Sequence, residues 1–209
     1  MNGAGKTTTI RMLTCLSAPT AGEAFICGHS TSSESAAVKQ LVGISPQDTA
    51  VAENLTVREN LALMAGIFPF SKEKTEQRVK EMTQLFRLDE VLSSRAKTLS
   101  GGWKRKVSIA MALISEPQVL FLDEPTLGLD VLARRELWSA VNSLKGKITI
   151  ILTTHYMEEA EQLSDRIAIM VNGKIHATGT LQELEAQTGE TGLENVFVHV
   201  AESAGGAAL

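Results

Sequence analysis

The sequence predicts an α/β fold with a parallel sheet at its core, and two features of its hydrophobic pattern support that prediction. Near-continuous apolar runs, typical of strands buried on both faces of a parallel sheet, occupy residues 119–122, 148–152 and 167–171. Between the first two runs, Leu137 and Val141 have the spacing of one helical face. Strand, helix and strand therefore alternate along the chain, as they do in α/β proteins.

Local signals predict the elements at the two ends of the chain. A helix is expected over residues 7–16, directly after a glycine-rich opening, and short strands are expected over 24–27 and 41–44. Asn172 and Gly173 form a dipeptide that favours a tight hairpin turn. The fold is therefore expected to end on a small antiparallel edge.

Residues 48–115 are expected to form a helical subdomain inserted into this core. Thr56 and Glu59 have the spacing of a capping box at the start of a helix. A second helix is expected over residues 72–88, and a third is expected to start close to the glycine pair Gly101 and Gly102, which Ser100 precedes.

Length and composition limit the functions that the chain could have. With 209 residues, 44% of them apolar, the chain can bury a core without disulfides, so we expect one domain over residues 1–200 and a flexible tail over 201–209. The formal charge of −4 argues against nucleic acid as a partner held by bulk charge. No apolar run approaches the roughly 18 residues of a membrane-spanning helix. Cys15 and Cys27 form no CxxC motif, which favours a reducing compartment.

The opening residues have the composition of a phosphate-binding loop. Glycines precede Lys6 and Thr7, so backbone N–H groups and a helix N-terminus would face a polyphosphate. In such a loop the lysine reaches the β- and γ-phosphates, and the threonine hydroxyl binds Mg²⁺. A flexible glycine turn before a helix is the simpler alternative. The residues expected to bind nucleotide are Asn2, Gly3, Ala4, Gly5, Lys6, Thr7 and Thr8.

Two carboxylates end the most apolar of the predicted strands. Asp123 and Glu124 follow residues 120–122, and open α/β sheets bind ligands at the carboxyl ends of their strands. Asp123 could hold Mg²⁺ through water, and Glu124 could orient or deprotonate an attacking water. A charged strand end followed by the turn at Pro125 is the alternative.

The motif that separates these alternatives is Leu-Ser-Gly-Gly at residues 99–102. With this motif the chain resembles the ATP-binding cassette (ABC) ATPases, and the order of motifs along the chain is also similar. That order is the phosphate loop, Gln47, residues 99–102, residues 120–124, Asp130 and His155. The resemblance implies an α/β core like that of P-loop NTPases, with ATP and Mg²⁺ as ligands.

The resemblance also implies a role for each residue of the hydrolytic site. Glu124, His155 and Gln47 would be catalytic: Glu124 would act on the attacking water, and His155 would contact the γ-phosphate. Thr7, Gln47 and Asp123 would bind Mg²⁺.

A second set of residues would act across a subunit interface. The resemblance implies that Ser100, Gly101 and Gly102, at the start of a helix, contact the ATP bound to the opposite subunit. Asp130 would reach across the same interface. Two ATP molecules would then be buried in a head-to-tail homodimer.

The chain departs from the family pattern after the two glycines. Trp103 occupies a position where many members have glutamine, and an indole offers one donor and no acceptor. Lys104, Arg105 and Lys106 follow, and a solvated helix face is the interpretation we favour over charges that support the phosphates.

The start of the chain is the larger departure. The first glycine of the pattern G-x-x-x-x-G-K-[ST] would fall directly before Met1, and the strands that precede the loop in the family are missing from the sequence. We therefore expect a core that lacks its N-terminal strands. A polypeptide of these 209 residues alone is expected to bind ATP poorly and to aggregate, because an unpaired strand edge would be left in its core.

The second half of the chain is similar to bacterial ABC subunits that serve exporters. The resemblance rests on residues 154–161, 172–175 and 193–197. It implies ATP hydrolysis that powers export through a separate membrane-spanning permease, with this chain cytoplasmic and peripheral on the inner face of the cell membrane. A soluble ABC ATPase without a transporter and an inactive remnant are the alternatives.

Overall fold

The structure is a computed structural model that describes residues 3–205. These residues form two compact units, one of residues 11–152 and one of residues 3–10 with 153–205. The strands are β1 (Phe25–Ile26), β2 (His29–Ser30), β3 (Val42–Ser45), β4 (Val119–Asp123), β5 (Thr149–Thr153), β6 (Ile167–Val171) and β7 (Lys174–Gly179). The α-helices are α1 (Lys6–Leu13), α2 (Ser35–Leu41), α3 (Val57–Ala65), α4 (Lys72–Phe86), α5 (Gly101–Leu113), α6 (Val131–Asn142), α7 (Met157–Leu163), α8 (Leu181–Thr188) and α9 (Leu193–Ser203).

The main sheet has the order β3-β4-β5, with β3 and β4 parallel. Every residue of β4 is buried, as its apolar sequence predicts. The predicted burial on both faces is wrong for β5, whose residues are exposed or half-buried, and for β6, which is buried only at Ile169 and Val171. The reason is position: β5 has β4 as its one sheet neighbour among residues 3–205, and β6 pairs with β7 in a separate hairpin.

Helix α5 lies at the centre of the unit formed by residues 11–152. It packs against α3, α4 and α6 and against strands β3 and β4, and all of its residues from Arg105 to Leu113 are buried. A helix that is apolar on all sides is expected in such a place. The capping box at Thr56 and Glu59 is confirmed at the start of α3, and Val79, Met82 and Phe86 form the buried face of α4.

The second unit is organised around the hairpin of β6 and β7. Asn172 and Gly173 form its predicted turn, both with the positive φ angles (50° and 79°) that such a turn requires. Helices α8 and α9 pack against this hairpin and close a small core. Helix α9 continues to Ser203 with Ala201 buried, so residues 201–203 are helical and the expected tail from residue 201 is corrected there.

The structure differs locally from the sequence predictions at α1, α2 and β2. Helix α1 ends at Leu13, because Cys15 adopts a left-handed backbone conformation (φ 57°), and Leu16 is 56% exposed instead of continuing the helical face. Helix α2 and strand β2 are not predicted by the sequence, whereas β1 lies within the strand predicted over residues 24–27. No helix among residues 3–205 has the length and apolar character needed to cross a bilayer.

Candidate functional site

The predicted phosphate loop is a turn that leads directly into α1. Gly3 and Gly5 have positive φ angles of 80° and 99°, and the helix begins at Lys6. Both the backbone N–H and the hydroxyl of Thr9 donate to the Gly5 carbonyl, at 2.9 and 3.0 Å, which fixes the first turn. Thr7 and Thr8 are exposed, so their hydroxyls are accessible to a ligand. Asn2 lies outside the described residues.

The hairpin of β6 and β7 holds this loop within the same unit. The N–H of Gly173 donates to the carbonyl of buried Ala4 at 3.0 Å. A Cβ on Gly5 would lie 3.4 Å from the Gly173 Cα and 3.6 Å from the Met170 Sδ, in a backbone conformation that side chains rarely adopt. Only glycine therefore suits the position of Gly5. Sequence reasoning missed this anchor, since Ala4 and Gly173 are distant in sequence and no local pattern links them.

The two carboxylates lie in the other unit, at the carboxyl end of β4. Asp123 is 3% exposed and Glu124 is 6% exposed. Glu124 has a left-handed backbone (φ 48°), a conformation that is costly for a non-glycine residue and that concentrates at functional sites. A tight turn follows, in which the N–H of Leu127 donates to the Glu124 carbonyl at 3.2 Å.

The parallel pairing of β3 and β4 brings Gln47 to the same edge of the sheet. Ser45 pairs with Leu122 in the register, so Gln47 and Glu124 each follow that pair by two residues. The Gln47 side chain is exposed, whereas both carboxylates are buried. The loop at Gln47 and the acidic pair therefore share the edge at which α/β sheets bind ligands.

The start of α5 contains the serine and the two glycines of the Leu-Ser-Gly-Gly motif. Ser100 is the N-cap residue of α5, and its Oγ accepts from the N–H of Trp103 at 3.5 Å. Gly101 is exposed, with open space where a Cβ would be, whereas a Cβ on Gly102 would lie 3.2 Å from the Cβ of Ala133 at the start of α6. Gly102 therefore allows the two helix starts to approach closely.

Asp130 is the N-cap residue of α6. Its Oδ1 accepts from the N–H groups of Leu132 (2.9 Å) and Ala133 (3.0 Å), so the side chain is fixed at the helix start while the residue stays exposed. The predicted serine-glycine motif and Asp130 are thus neighbours within one chain.

His155 follows β5 in the unit that also contains the phosphate loop. The Thr154 hydroxyl accepts from the N–H of Tyr156 at 3.0 Å and turns the chain out of the strand. The centres of the His155 and Tyr156 rings lie 4.1 Å apart. The side chain of His155 is half-buried.

The favoured interpretation of residues 104–106 as a solvated face is wrong for two of the three. Arg105 is 4% exposed and Lys106 is 7% exposed. Lys106 forms an ion pair with Glu136 of α6, and its ammonium lies 4.4 Å from the centre of the Trp103 ring. Arg105 donates to the backbone of the Gln47 loop. The apolar residues that follow, which predict a helix buried on all sides, were the signal that could have found Arg105.

The residues present suit a magnesium ion that arrives with nucleotide. Among residues 3–205 there is no group of three or more His, Cys, Asp or Glu side chains arranged to hold a metal. Mg²⁺ is commonly bound by one or two carboxylates together with substrate phosphates. Asp123, buried at the carboxyl end of β4, is the carboxylate that the sequence predicts for this role.

Comparisons with known proteins agree with this arrangement. The ABC transporter family model matches residues 1–127. The chain is 43% identical over 188 residues to a human protein, phospholipid-transporting ATPase ABCA3, covering 90% of this chain and 11% of that protein. It is 40% identical over 203 residues to the daunorubicin/doxorubicin resistance ATP-binding protein DrrA of Streptomyces peucetius, covering 97% of this chain and 61% of that protein. The chain therefore spans about three-fifths of DrrA and about a tenth of ABCA3.

Two solved structures have the same fold. An ATP-binding subunit of an ABC transporter superposes with a TM-score of 0.85 at 34% identity, covering 96% of this chain and 85% of that one. A dimeric ATP-binding cassette in a post-hydrolysis state, bound to ADP and Pi, gives a TM-score of 0.78 at 26% identity and covers 87% of this chain and 82% of that one. Fold, motif order and family model agree, and the chain belongs to the ABC transporter family.

Proposed function

We propose that this chain binds ATP and hydrolyses it, and that the reaction powers export of a substrate through a separate membrane-spanning partner. The observation that carries the proposal is Glu124. Its carboxylate is buried at the carboxyl end of the central strand, on a left-handed backbone. Burying a carboxylate and holding it in a costly conformation are both unfavourable for stability, which favours a catalytic role.

The proposed reaction is in-line hydrolysis. The oxygen of a water molecule attacks the γ-phosphorus of ATP, and the bond from that phosphorus to the bridging oxygen breaks. The electron pair leaves with the β-phosphate of ADP. Glu124 orients the water and accepts its proton, which passes to the released phosphate. His155 contacts the γ-phosphate.

The residues of the phosphate loop would bind and orient the substrate. Lys6, at the start of α1, would neutralise charge on the β- and γ-phosphates. Thr7, Asp123 and Gln47 would hold Mg²⁺, which offsets negative charge on the phosphate oxygens when it is bound. The hydrogen bond from Gly173 to Ala4 fixes the loop backbone, whose N–H groups would bind the phosphates.

A head-to-tail homodimer would complete the site. Ser100 and the exposed Gly101 lie at the N-terminus of α5, where backbone N–H groups attract an anion. In the dimer they would contact the γ-phosphate of the ATP held by the partner subunit, and Asp130 would reach across the same interface. The dimeric state of one structural relative supports this proposal.

An apolar groove in the unit of residues 11–152 supports a membrane partner. Its volume is 260 Å³, and Pro46 and Ala50 of the Gln47 loop form part of its wall. The apolar side chains that line it include Val42, Ile44, Met64, Phe68 and Met111. We propose that an amphipathic helix of the permease binds here, which would place the chain on the cytoplasmic face of the cell membrane.

Replacing Glu124 by Gln tests the hydrolytic role. The exchange keeps the size of the side chain and removes its charge, so we expect Mg²⁺-dependent ATP turnover to fall by roughly 100-fold or more while ATP binding remains. The full-length protein that contains these residues would be purified, and its ATP turnover and its binding of a fluorescent ATP analogue would be measured. Glu158→Gln, at an exposed site on α7, is the control. Turnover that survives in the Glu124 variant would refute the proposed function.

Placing a charged side chain in the groove tests whether the membrane-spanning partner docks there. We expect Met64→Glu to abolish copurification with a coexpressed membrane-spanning permease, because a carboxylate would be buried against the docked helix. Ile175→Glu places the same charge at an exposed residue of the other unit and should leave copurification intact. Equal recovery of the membrane protein with both variants would exclude the groove as its docking site.

A further inference from the structure

The feature that the proposed function leaves unexplained is Arg105, a buried arginine near the start of α5. It is 4% exposed, at the beginning of the fully buried stretch of that helix. Burial of a cation is unfavourable unless hydrogen bonds compensate it. An apolar side chain would ordinarily occupy such a buried position in the helical subdomain. The hydrogen bonds that Arg105 makes there therefore indicate what its role is.

Arg105 donates to two consecutive carbonyls of the loop that follows β3. Its Nη1 donates to the Pro46 carbonyl at 2.6 Å, and its Nη2 donates to the carbonyl of Gln47. The planar fork of a guanidinium fits two neighbouring acceptors, which a single ammonium group does not match. These two bonds fix the backbone of Gln47 to α5, while the Gln47 side chain remains exposed.

Two further side chains of α5 hold the same segment. Ser108 lies one turn beyond Arg105, and its hydroxyl is 3.0 Å from that of Ser45, with both residues buried. The ammonium of Lys104 lies 2.9 Å from a carboxylate oxygen of Glu53. The helix thus contacts the segment of residues 45–53 before, at and after Gln47. Arg105 makes the contact at Gln47 itself.

We propose that Arg105 is a positioning residue for hydrolysis, which fixes the backbone of Gln47 to the helix that begins at Ser100. This inference rests on the proposed function, because Gln47 matters only if it acts on Mg²⁺ and water. A movement of α5, whose N-terminus would contact the ATP of the opposite subunit, is transmitted by Arg105 to Gln47. The position of Gln47 then changes when the dimer closes.

Variants of Arg105 test the role through a split in kinetic constants. Arg105→Met keeps the apolar stem and removes both hydrogen bonds, so we expect kcat for ATP to fall roughly tenfold or more while KM changes little, because the phosphates would be held by residues 3–8. Arg105→Lys, which can donate to one of the carbonyls, should recover part of the loss. Arg58→Lys on α3, an exposed arginine paired with Glu76, is the matched control and should behave as the parent.

A double-mutant cycle separates positioning from a general loss of structure. If Arg105 acts through Gln47, then Gln47→Ala combined with Arg105→Met will be no slower than Gln47→Ala alone. If Arg105 only stabilises the fold, the fold-losses in kcat of the two single variants will multiply in the double variant. Multiplicative losses, or an Arg105→Met variant with the kcat of the parent, would overturn the inference.

Backbone dynamics keep the inference testable even where turnover is low. Loss of the Arg105 bonds should lower the NMR order parameters of the Gln47 and Asp48 backbone and leave those of residues 109–113 unchanged. Unchanged order parameters at Gln47 would overturn the inference. Absence of Glu124-dependent turnover in the parent protein would refute the proposed function instead, so the two failures are distinguishable.

Discussion

At the residue scale, Gly43 of β3 determines how closely the sheet packs against α5. A Cβ at this position would lie 2.2 Å from the carbonyl oxygen of Ala112 and 3.0 Å from the Cγ of Pro117. Both neighbours belong to the backbone or to a rigid ring, so neither moves easily. The strand and the central helix can approach this closely because residue 43 has no side chain.

Gly43→Ala should therefore destabilise the protein by at least about 2 kcal/mol, as overpacking of a tight contact does. Gly66→Ala is the matched control, because its φ is −68° and its Cβ would meet nothing closer than 3.4 Å. That exchange should change stability by less than about 1 kcal/mol. Urea unfolding measures the stability of both variants, provided that the dependence of the unfolding free energy on urea has the same slope in each. Equal unfolding midpoints for the two variants would contradict the packing described.

Candidate site residues can be predicted from the sequence where a local motif marks them, whereas contacts between distant residues leave no such pattern. Glu124 and Ser100 are predicted by pattern, because the spacing of their motifs reflects local geometry. Arg105 is missed, because three successive basic residues look solvated until the buried helix around them is seen. The hydrogen bond from Gly173 to Ala4 joins residues that are far apart in the sequence, and no local pattern encodes it.

At the scale of the elements, the capping box of α3 links helix stability to pH. The backbone N–H of Thr56 donates to Glu59 at 2.7 Å and its hydroxyl donates at 2.9 Å, and these bonds lower the pKa of Glu59 below its usual value of 4.5. The fold therefore favours the charged carboxylate. The stabilisation is fully present above pH 4.5 and is lost as the pH falls through the lowered pKa.

Glu59→Gln tests this linkage, because the amide can still accept a hydrogen bond but cannot titrate. We expect the parent to be more stable than the variant at neutral pH, and the difference in free energy of unfolding to vanish in acid. Chemical unfolding monitored at several pH values measures it. A difference that stays constant from neutral to acidic pH would show that the charge of Glu59 plays no part in the cap.

Elements with strong local signals are predicted, and those fixed by their neighbours are not. The capping box places the start of α3, and the Asn172-Gly173 turn places the hairpin of β6 and β7. Helix α2 is short and has only Val38 buried, so its pattern is too weak to recognise. The apolar sequence of β5 resembles that of β4, yet only β4 lies between two strands, and sheet order is not readable from either sequence.

At the scale of the whole molecule, the account depends on a site shared between two copies of the chain. Glu124 would act on one ATP, and Gly101 of the same chain would contact the other. Gly101 offers a clean variant, because open space surrounds the place of its Cβ and its φ is not positive. An aspartate fits there and suits the first turn of a helix, but it would repel the γ-phosphate of the partner's ATP.

The measurement that tests this account most directly is the ATP turnover of a mixed dimer. Glu124→Gln and Gly101→Asp subunits, each inactive by itself, would be coexpressed with different tags and purified together. In a head-to-tail dimer, the intact Glu124 of one subunit meets the intact Gly101 of the other at one of the two sites, so turnover should return. A mixed dimer as inactive as its parents would contradict the shared site.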